Sequence, residues 1–439
     1  MSESLVIKGG TLIDGTGGDP LKNAVVIIEG SEIVEVGERL TTPKGAEVID
    51  ASGLTVLPGL IDGHVHLTAD PRKGALELVT SPGALSNLRA SKNARITLEA
   101  GFTSILGNCG WGNYADLFLR EAIENGWVPG PRLWTSGPGI TSSLRRAVNT
   151  RYGLPPRPRD LEDGPEAMRQ LARRHMGSGV DWLKVLATYA VGSPRGDPAL
   201  MNLNFDELKA IVEEAHAQKK KVKVHLEGPK PTKEALEAGI DIVLHGFYID
   251  EDDAEFMSKN GVSFIPTLAW RGELVRTGAP GQPDWYVAKA QKYGSAHLAS
   301  FRRAKEAGVL LASGTDCSGG GSAGDFIRHG ENAKEMSYMV KNGLSNMEAL
   351  MTGTNNVAEA FGLQRLIGTV EPGKLADIIL VKGNPLDDID ILQEKSRILR
   401  VIKDGITVVE NGIARPAKCT RLDPNPPGFM ADKYKSEYS

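Results

Sequence analysis

At 439 residues the chain exceeds what one hydrophobic core usually supports, so a large domain with a smaller companion is expected. Hydrophobic residues at 41% and charged residues at 24% are ordinary for a globular protein, and no apolar run of about 18 residues suggests a membrane span. A net charge of -4, with no basic cluster beyond Lys219-Lys220-Lys221, argues against a nucleic-acid surface; that triplet reads as the solvated end of an amphipathic helix.

Residues 4 to 56 read as short alternating strands, Leu5-Val6-Ile7, Ala24 to Ile28 and Ile33 to Val36, separated by Gly-rich and Asp/Gly turns. Met1 to Gly10 lacks a basic segment followed by an apolar core, so a cytoplasmic protein is expected, or one exported by a signal peptide outside this sequence. From residue 57 onward apolar strand patterns alternate with helical ones, the sign of βα units around a parallel sheet. Eight strands are predicted, at 57–62, 103–108, 132–136, 182–187, 221–226, 241–246, 262–268 and 309–315, with intervening helices such as Glu207 to His216. Strand texture returns at Leu375 to Val381 and Val401 to Val409. The expected architecture is an α/β (β/α)8 TIM barrel over 57–365 and a small β-sandwich domain built from 1–56 and 366–420, with a Pro-rich tail at 421–439. A doubly wound sheet is the alternative, disfavoured because no G-x-G-x-x-G follows a strand.

Barrel chemistry sits at the C-terminal ends of strands. Strand 1 runs through Pro58 to Gly63 onto His64-Val65-His66, whose i, i+2 imidazoles share a face about 7 Å apart. Strand 4 carries Lys184, strand 5 ends on His225, strand 6 on His245 and strand 8 on Asp316, while His175, His216, His297 and His329 fall elsewhere. An ammonium cannot bind a metal, so Lys184 is read either as a structural ion pair with a carboxylate or as a carbamate formed with CO2. The carbamate is carboxylate-like and can bridge two divalent ions roughly 3.5–4 Å apart. The cysteines, Cys109, Cys317 and Cys419, are too few and scattered for a disulfide framework or a C-x-x-C site.

The series His64-x-His66, Lys184, His225, His245, Asp316 resembles the binuclear amidohydrolase superfamily, and Pro58 to His66 matches its opening motif. Gly368 to Asp377 resembles the superfamily's return into its small β domain, so the resemblance covers nearly all of the chain up to the tail. Gly101 to Ser104, Asn113 to Asp116, Gly130-Pro131-Arg132, His329 to Ala333 and Thr352 to Asn356 look like the imidazolonepropionase-like branch, which includes Xaa-Pro dipeptidases, carboxypeptidases and ochratoxin-hydrolysing amidases. The resemblance implies one ion on His64, His66 and Asp316, a second on His225 and His245, carbamylated Lys184 between them, and Asp316 as general base. Zinc suits such imidazole and carboxylate ligands. It also implies a homo-oligomer, up to an octamer.

Two loops depart from the family pattern: Gly137 to Ser143 lacks a Gly-Gly-His, and Thr188-Tyr189-Ala190 stands where relatives carry Thr-Gly-Gly. Tyr189 either faces the substrate carbonyl or packs, and His329 is either a site residue or a loop residue. Arg145, Arg146, Arg271 and Arg328 are alternative cations for a substrate carboxylate, and Trp111 and Trp270 alternative pocket walls. The expected function is metal-dependent hydrolysis of an amide or peptide bond that releases a C-terminal amino acid from a dipeptide or N-acyl amino acid, as in ochratoxin A giving ochratoxin alpha and phenylalanine. A mononuclear deaminase or imidazolonase is the alternative, although His225-Leu226-Glu227 has the wrong spacing for a deaminase glutamate. The non-enzyme alternative is a metal-free scaffold.

Overall fold

The computed structural model describes residues 4–69, 82–108, 114–146, 162–193, 196–278, 283–317 and 327–415. Strands β1 (Ser4–Leu12), β2 (Leu21–Glu29), β3 (Glu32–Gly37), β4 (Glu47–Asp50) and β5 (Thr55–Pro58) come first. Then β6 (Leu60–Asp62), β7 (Phe102–Asn108), β8 (Arg132–Thr135), β9 (Leu183–Leu186), β10 (Val222–Leu226), β11 (Ile242–His245) and β12 (Ser263–Ile265) alternate with helices. The chain closes with β13 (Ile378–Val381), β14 (Ile398–Lys403), β15 (Ile406–Glu410) and β16 (Ile413–Ala414).

Both ends of the chain meet in one nine-stranded sheet of order β16-β15-β14-β13-β5-β1-β2-β3, with β4 also on β1. The period-2 pattern buries both of its faces: Leu5, Ile7 and Ile28 join Ile378 and Leu380 on one, while Val6, Val25 and Ile27 cluster on the other. The predicted strand 57–62 is in fact two. β5 pairs antiparallel with β13, β6 pairs parallel with β7, and Gly59 alone carries the chain from one sheet to the other. Its amide donates to the Asp377 carbonyl at 2.8 Å, and a Cβ there would lie 2.1 Å from the Thr103 hydroxyl, so only glycine fits.

The parallel strands form two arcs, β6-β7-β8 and β9-β10-β11-β12. The Asp181 amide donates to the Thr135 carbonyl at 2.8 Å, and a bridge pairs Ile140 with Val185, so the arcs adjoin at β8 and β9. Bridges from Phe264 to Leu311 and from Cys317 to Val65 carry residues 311–317 between β12 and the end of β6. The predicted strand 309–315 therefore holds one isolated bridge, at Leu311, rather than a ladder, and a second bridge follows at Cys317. The predicted strand 262–268 stops at Ile265: Pro266 cannot donate to a ladder, Thr267 has φ 54°, and Leu268 opens a helix.

Side chains sort by parity. Ile61, Leu106, Ile242, Leu244, Ile265 and Ala312 pack together between the strands, whereas Val185, Val224, Leu226, Val243 and Phe264 pack outward among the helices. The predicted helix 207–216 runs from Phe205 to Ala217, started by a capping box between Asn204 and Glu207. The lysine triplet after it is not simply solvated: Lys220 donates to the Val180 carbonyl at 2.7 Å and Lys221 to the Ala360 carbonyl at 2.8 Å. Arg132 on β8 ties the arc to the nine-stranded sheet through Asp377, at 2.6 Å, and Asp404. Among the described residues no helix is long and apolar enough to cross a membrane.

Candidate metal centre

His64 and His66 leave the end of β6 into a crowded space. A Cβ on Gly107 would sit 1.6 Å from the Gly63 carbonyl oxygen and 2.5 Å from the His64 amide, so a bare backbone at 107 permits this approach. Behind the pair lies Asp62, fully buried. One of its carboxylate oxygens accepts from the amides of His64 at 2.9 Å and Thr315 at 3.2 Å; the other accepts from the Thr315 hydroxyl and the Asn332 side chain, each at 2.8 Å. Burial pushes its pKa up to about 6 despite those four bonds. The network fastens the turn that carries Asp316 to the turn that carries His64.

Asp316 then meets both histidines, its Oδ1 3.3 Å from His64 Nε2 and 3.1 Å from His66 Nε2. Burial would raise the Asp316 pKa, but the hydrogen bonds from His64 and His66 outweigh it and hold the group well below the usual carboxylate range. Burial and the Lys184 charge push His64 the other way, well below the ordinary imidazole value, so it is neutral and able to ligate.

A second group faces the first. His225 lies on the inward side of β10, paired with the inward Leu244. By parity His245 belongs to the opposite face, but its φ of 67° turns it inward, where its ring is 4.5 Å from His225 and 5.4 Å from His64. Its Nδ1 lies 2.9 Å from the Thr267 hydroxyl, which fixes the ring and leaves Nε2 facing the site. Glu227, also buried, places Oε1 3.6 Å from His225 Nε2. His245, Thr267 and Asp316 all have positive φ, a cost of about 1–3 kcal/mol each where a non-glycine residue is held so.

Lys184 is buried on β9, and parity with the outward Val185 beside it places it on the inward side of the strand. Tyr189 is half-buried, its hydroxyl 3.5 Å from the Leu144 carbonyl. Trp270 stacks edge-on to Tyr286, and Arg271 is half-buried against Gly294. Arg328 is exposed while His329 is buried. Arg145 and Arg146 end a short 3-10 helix, Ser143–Arg146, and their side chains, like Trp111 and the tail 421–439, lie outside the described residues. Asp62, Thr267, Thr315 and Asn332 were not singled out from sequence as supports of the site; an acid two residues before the first histidine and a Thr-Asp pair at a strand end are the signals that mark two of them.

The buried donors are imidazole and carboxylate, and the two described groups, His64-His66-Asp316 and His225-Glu227-His245, each bring three ligand atoms within 4.8 Å of one another. Neighbouring ligand atoms on one tetrahedral zinc lie roughly 3.3–3.6 Å apart, given bonds of about 2.0–2.2 Å, so the spacings above suit such an ion.

Residues 55–408 match the Amidohydrolase family. The chain is 30% identical over 427 residues to an ochratoxinase from Aspergillus niger, covering 91% of this chain and 85% of that relative. The crystal structure of A. niger ochratoxinase superposes with a TM-score of 0.83 at 28% identity, over 96% of this chain and 99% of that one. A Xaa-Pro dipeptidase with bound methionine superposes equally well, TM-score 0.83 at 29% identity, over 93% of this chain and all of the other (100%). An imidazolonepropionase from Geobacillus kaustophilus is 27% identical, over 89% of this chain and 91% of that relative. The likeness gives a TIM-barrel-type fold with a second domain, and the chain belongs to the amidohydrolase family, hydrolases acting on C-N bonds.

Proposed function

We propose that this protein uses two divalent ions, most simply zinc, to hydrolyse an amide or peptide bond, releasing a C-terminal amino acid from a dipeptide or N-acyl amino acid. The observation that carries this is the approach of the two donor groups through His64 and His245, 5.4 Å between rings, with buried Lys184 on the inward side of β9. On this reading His64, His66 and Asp316 hold one ion and His225 and His245 the other. Lys184 bridges them as a carbamate: its neutral amine attacks CO2, a C–N bond forms, and one proton leaves to solvent. Residues 57–365 close as a (β/α)8 barrel, with 1–56 and 366–420 as the small domain.

Bound ions supply Lewis acidity toward the carbonyl and acidify water toward a pKa near 7. The chain's own work is proton transfer and orientation. Asp316, ionised and anchored through its turn to Asp62, accepts the proton of the attacking water and delivers it to the departing amine as the C–N bond breaks. Thr267 and the Asp62 network keep the histidines aimed. Arg271 is the cation best suited to a substrate carboxylate: it is half-buried on the helix that begins beside Thr267, and its Nε makes no hydrogen bond among the described residues. Tyr189 and Trp270 supply walls of the same mouth.

The similarity to ochratoxinase and to a Xaa-Pro dipeptidase makes aromatic and prolyl amides the first substrates to try. Ochratoxin A, Xaa-Pro and Xaa-Phe dipeptides and N-acyl amino acids are incubated with the zinc-loaded protein, and released amino acid and ammonia are quantified separately. Amino acid release is expected; ammonia without amino acid supports a deaminase, and neither product overturns the hydrolytic reading.

A further inference from the structure

We infer that Glu227 is a third protein ligand of the second ion, beside His225 and His245; this rests on the two-ion reading above. Its spacing repeats that of the first group: His225-Leu226-Glu227 at the end of β10 mirrors His64-Val65-His66 after β6, an i, i+2 pair at a strand end. The contact between Glu227 Oε1 and His225 Nε2, at 3.6 Å, is too long for a hydrogen bond and suits two atoms sharing one ion. The corresponding contacts in the first group are shorter, 3.1 and 3.3 Å from Asp316 to its histidines.

The carboxylate is held for the task. Its Oε2 accepts the Val191 amide at 2.6 Å, which fixes the group while Oε1 faces the imidazole. A Cβ on the next residue, Gly228, would lie 2.5 Å from the Ala199 Cα, so the backbone behind Glu227 is pressed against the 198–199 segment and has little room to withdraw. Lys289, a cation whose field reaches Glu227, donates to the carbonyls of Ser193 and Gly196, each at 2.8 Å.

Charge decides what such a residue adds. His225 and His245 bring two neutral donors, so without Glu227 the anionic side-chain ligand of the second ion among the described residues is a carbamate that depends on CO2. Glu227 gives that ion a permanent negative ligand, one that remains when Lys184 is a free amine. The second pocket is then occupied in CO2-free solution, and carbamylation follows ion binding rather than being required for it.

The test is metal content and second-ion affinity in wild type, Glu227→Gln and Lys184→Gln, by elemental analysis after gel filtration and by competition with a chromophoric chelator, with the visible spectrum of cobalt-loaded protein as a second readout. Wild type is expected to hold two ions. Glu227→Gln is expected to keep one and bind the second at least about 10-fold more weakly, with a changed spectrum for the second cobalt equivalent. Lys184→Gln is expected to retain a measurable second ion. Unchanged second-ion affinity and spectrum in Glu227→Gln overturn the inference while leaving the two-ion reading intact. A wild type that holds fewer than two ions overturns that reading, and this inference with it. Should Glu227→Gln fail to fold, wild type in bicarbonate-free buffer decides: a retained second ion supports the inference, and its complete loss overturns it.

Discussion

Asp62 and Thr315, 253 residues apart in the chain, meet side chain to side chain at 2.8 Å, and the Thr315 amide reaches the same carboxylate at 3.2 Å. Through this pair the turn bearing His64 and the turn bearing Asp316 become one rigid piece. Asp62→Ala strips the acceptor from four buried donors, each costing roughly 1–3 kcal/mol when left unsatisfied. A loss of several kcal/mol in denaturant unfolding is expected, with first-ion affinity down about 10- to 100-fold. Unchanged unfolding and unchanged zinc binding contradict this role.

Thr267 acts on His245. Thr267→Val removes the hydroxyl partner of His245 Nδ1 while keeping the side-chain shape, so the second ion is expected to weaken about 10-fold with the first unaffected. Thr267→Ser, which restores the hydroxyl, is expected to recover most of that affinity. Equal second-ion affinities in the valine and serine variants, read by chelator competition, contradict the assignment.

Away from the site, Arg132 on β8 binds Asp377 at 2.6 Å and also Asp404. Arg132→Ala leaves two carboxylates facing each other between the arc and the nine-stranded sheet, a change that typically costs about 3–5 kcal/mol when the pair is buried. Lower thermal stability and earlier proteolysis in the 398–415 hairpins are expected. Wild-type protease resistance in a folded variant speaks against Arg132 as the tie.

Much of this molecule was legible because its signals are local. Apolar runs at regular spacing marked the parallel strands, and histidines or an acid at strand ends marked the candidate donors. What escaped depends on contacts across the chain. Asp62 reads locally as a turn residue, and its partners Thr315 and Asn332 lie 253 and 270 residues away. The inward turn of His245 follows from a single left-handed φ that strand parity does not foretell, and the stop at Ile265 from Pro266 and Thr267 together. Lys220 and Lys221 form a charge run on paper, yet each ends on a neighbouring carbonyl because the strand after them is buried on both faces.

Asp116 offers a pH test independent of bound ions. It is fully buried, accepts the Gly137 amide at 3.1 Å, and burial pushes its pKa up to about 6, against about 3.9 in an unfolded chain. Between those values the folded protein keeps a proton that the unfolded chain has released, so stability falls as pH rises from about 4 to 6 and is flat beyond. Relative to Asp116→Asn, wild type is expected to lose up to about 3 kcal/mol across that window. Urea unfolding at several pH values reads the difference, and parallel profiles for the two proteins contradict it.

The central claim is a two-ion hydrolytic centre, and the number of divalent ions per chain in zinc-reconstituted protein measures it most directly. Two ions per chain are predicted, both removed by strong chelation and both restored by zinc. No tightly bound ion contradicts the account outright, and a single ion after full reconstitution contradicts the bridged centre and favours the mononuclear deaminase type.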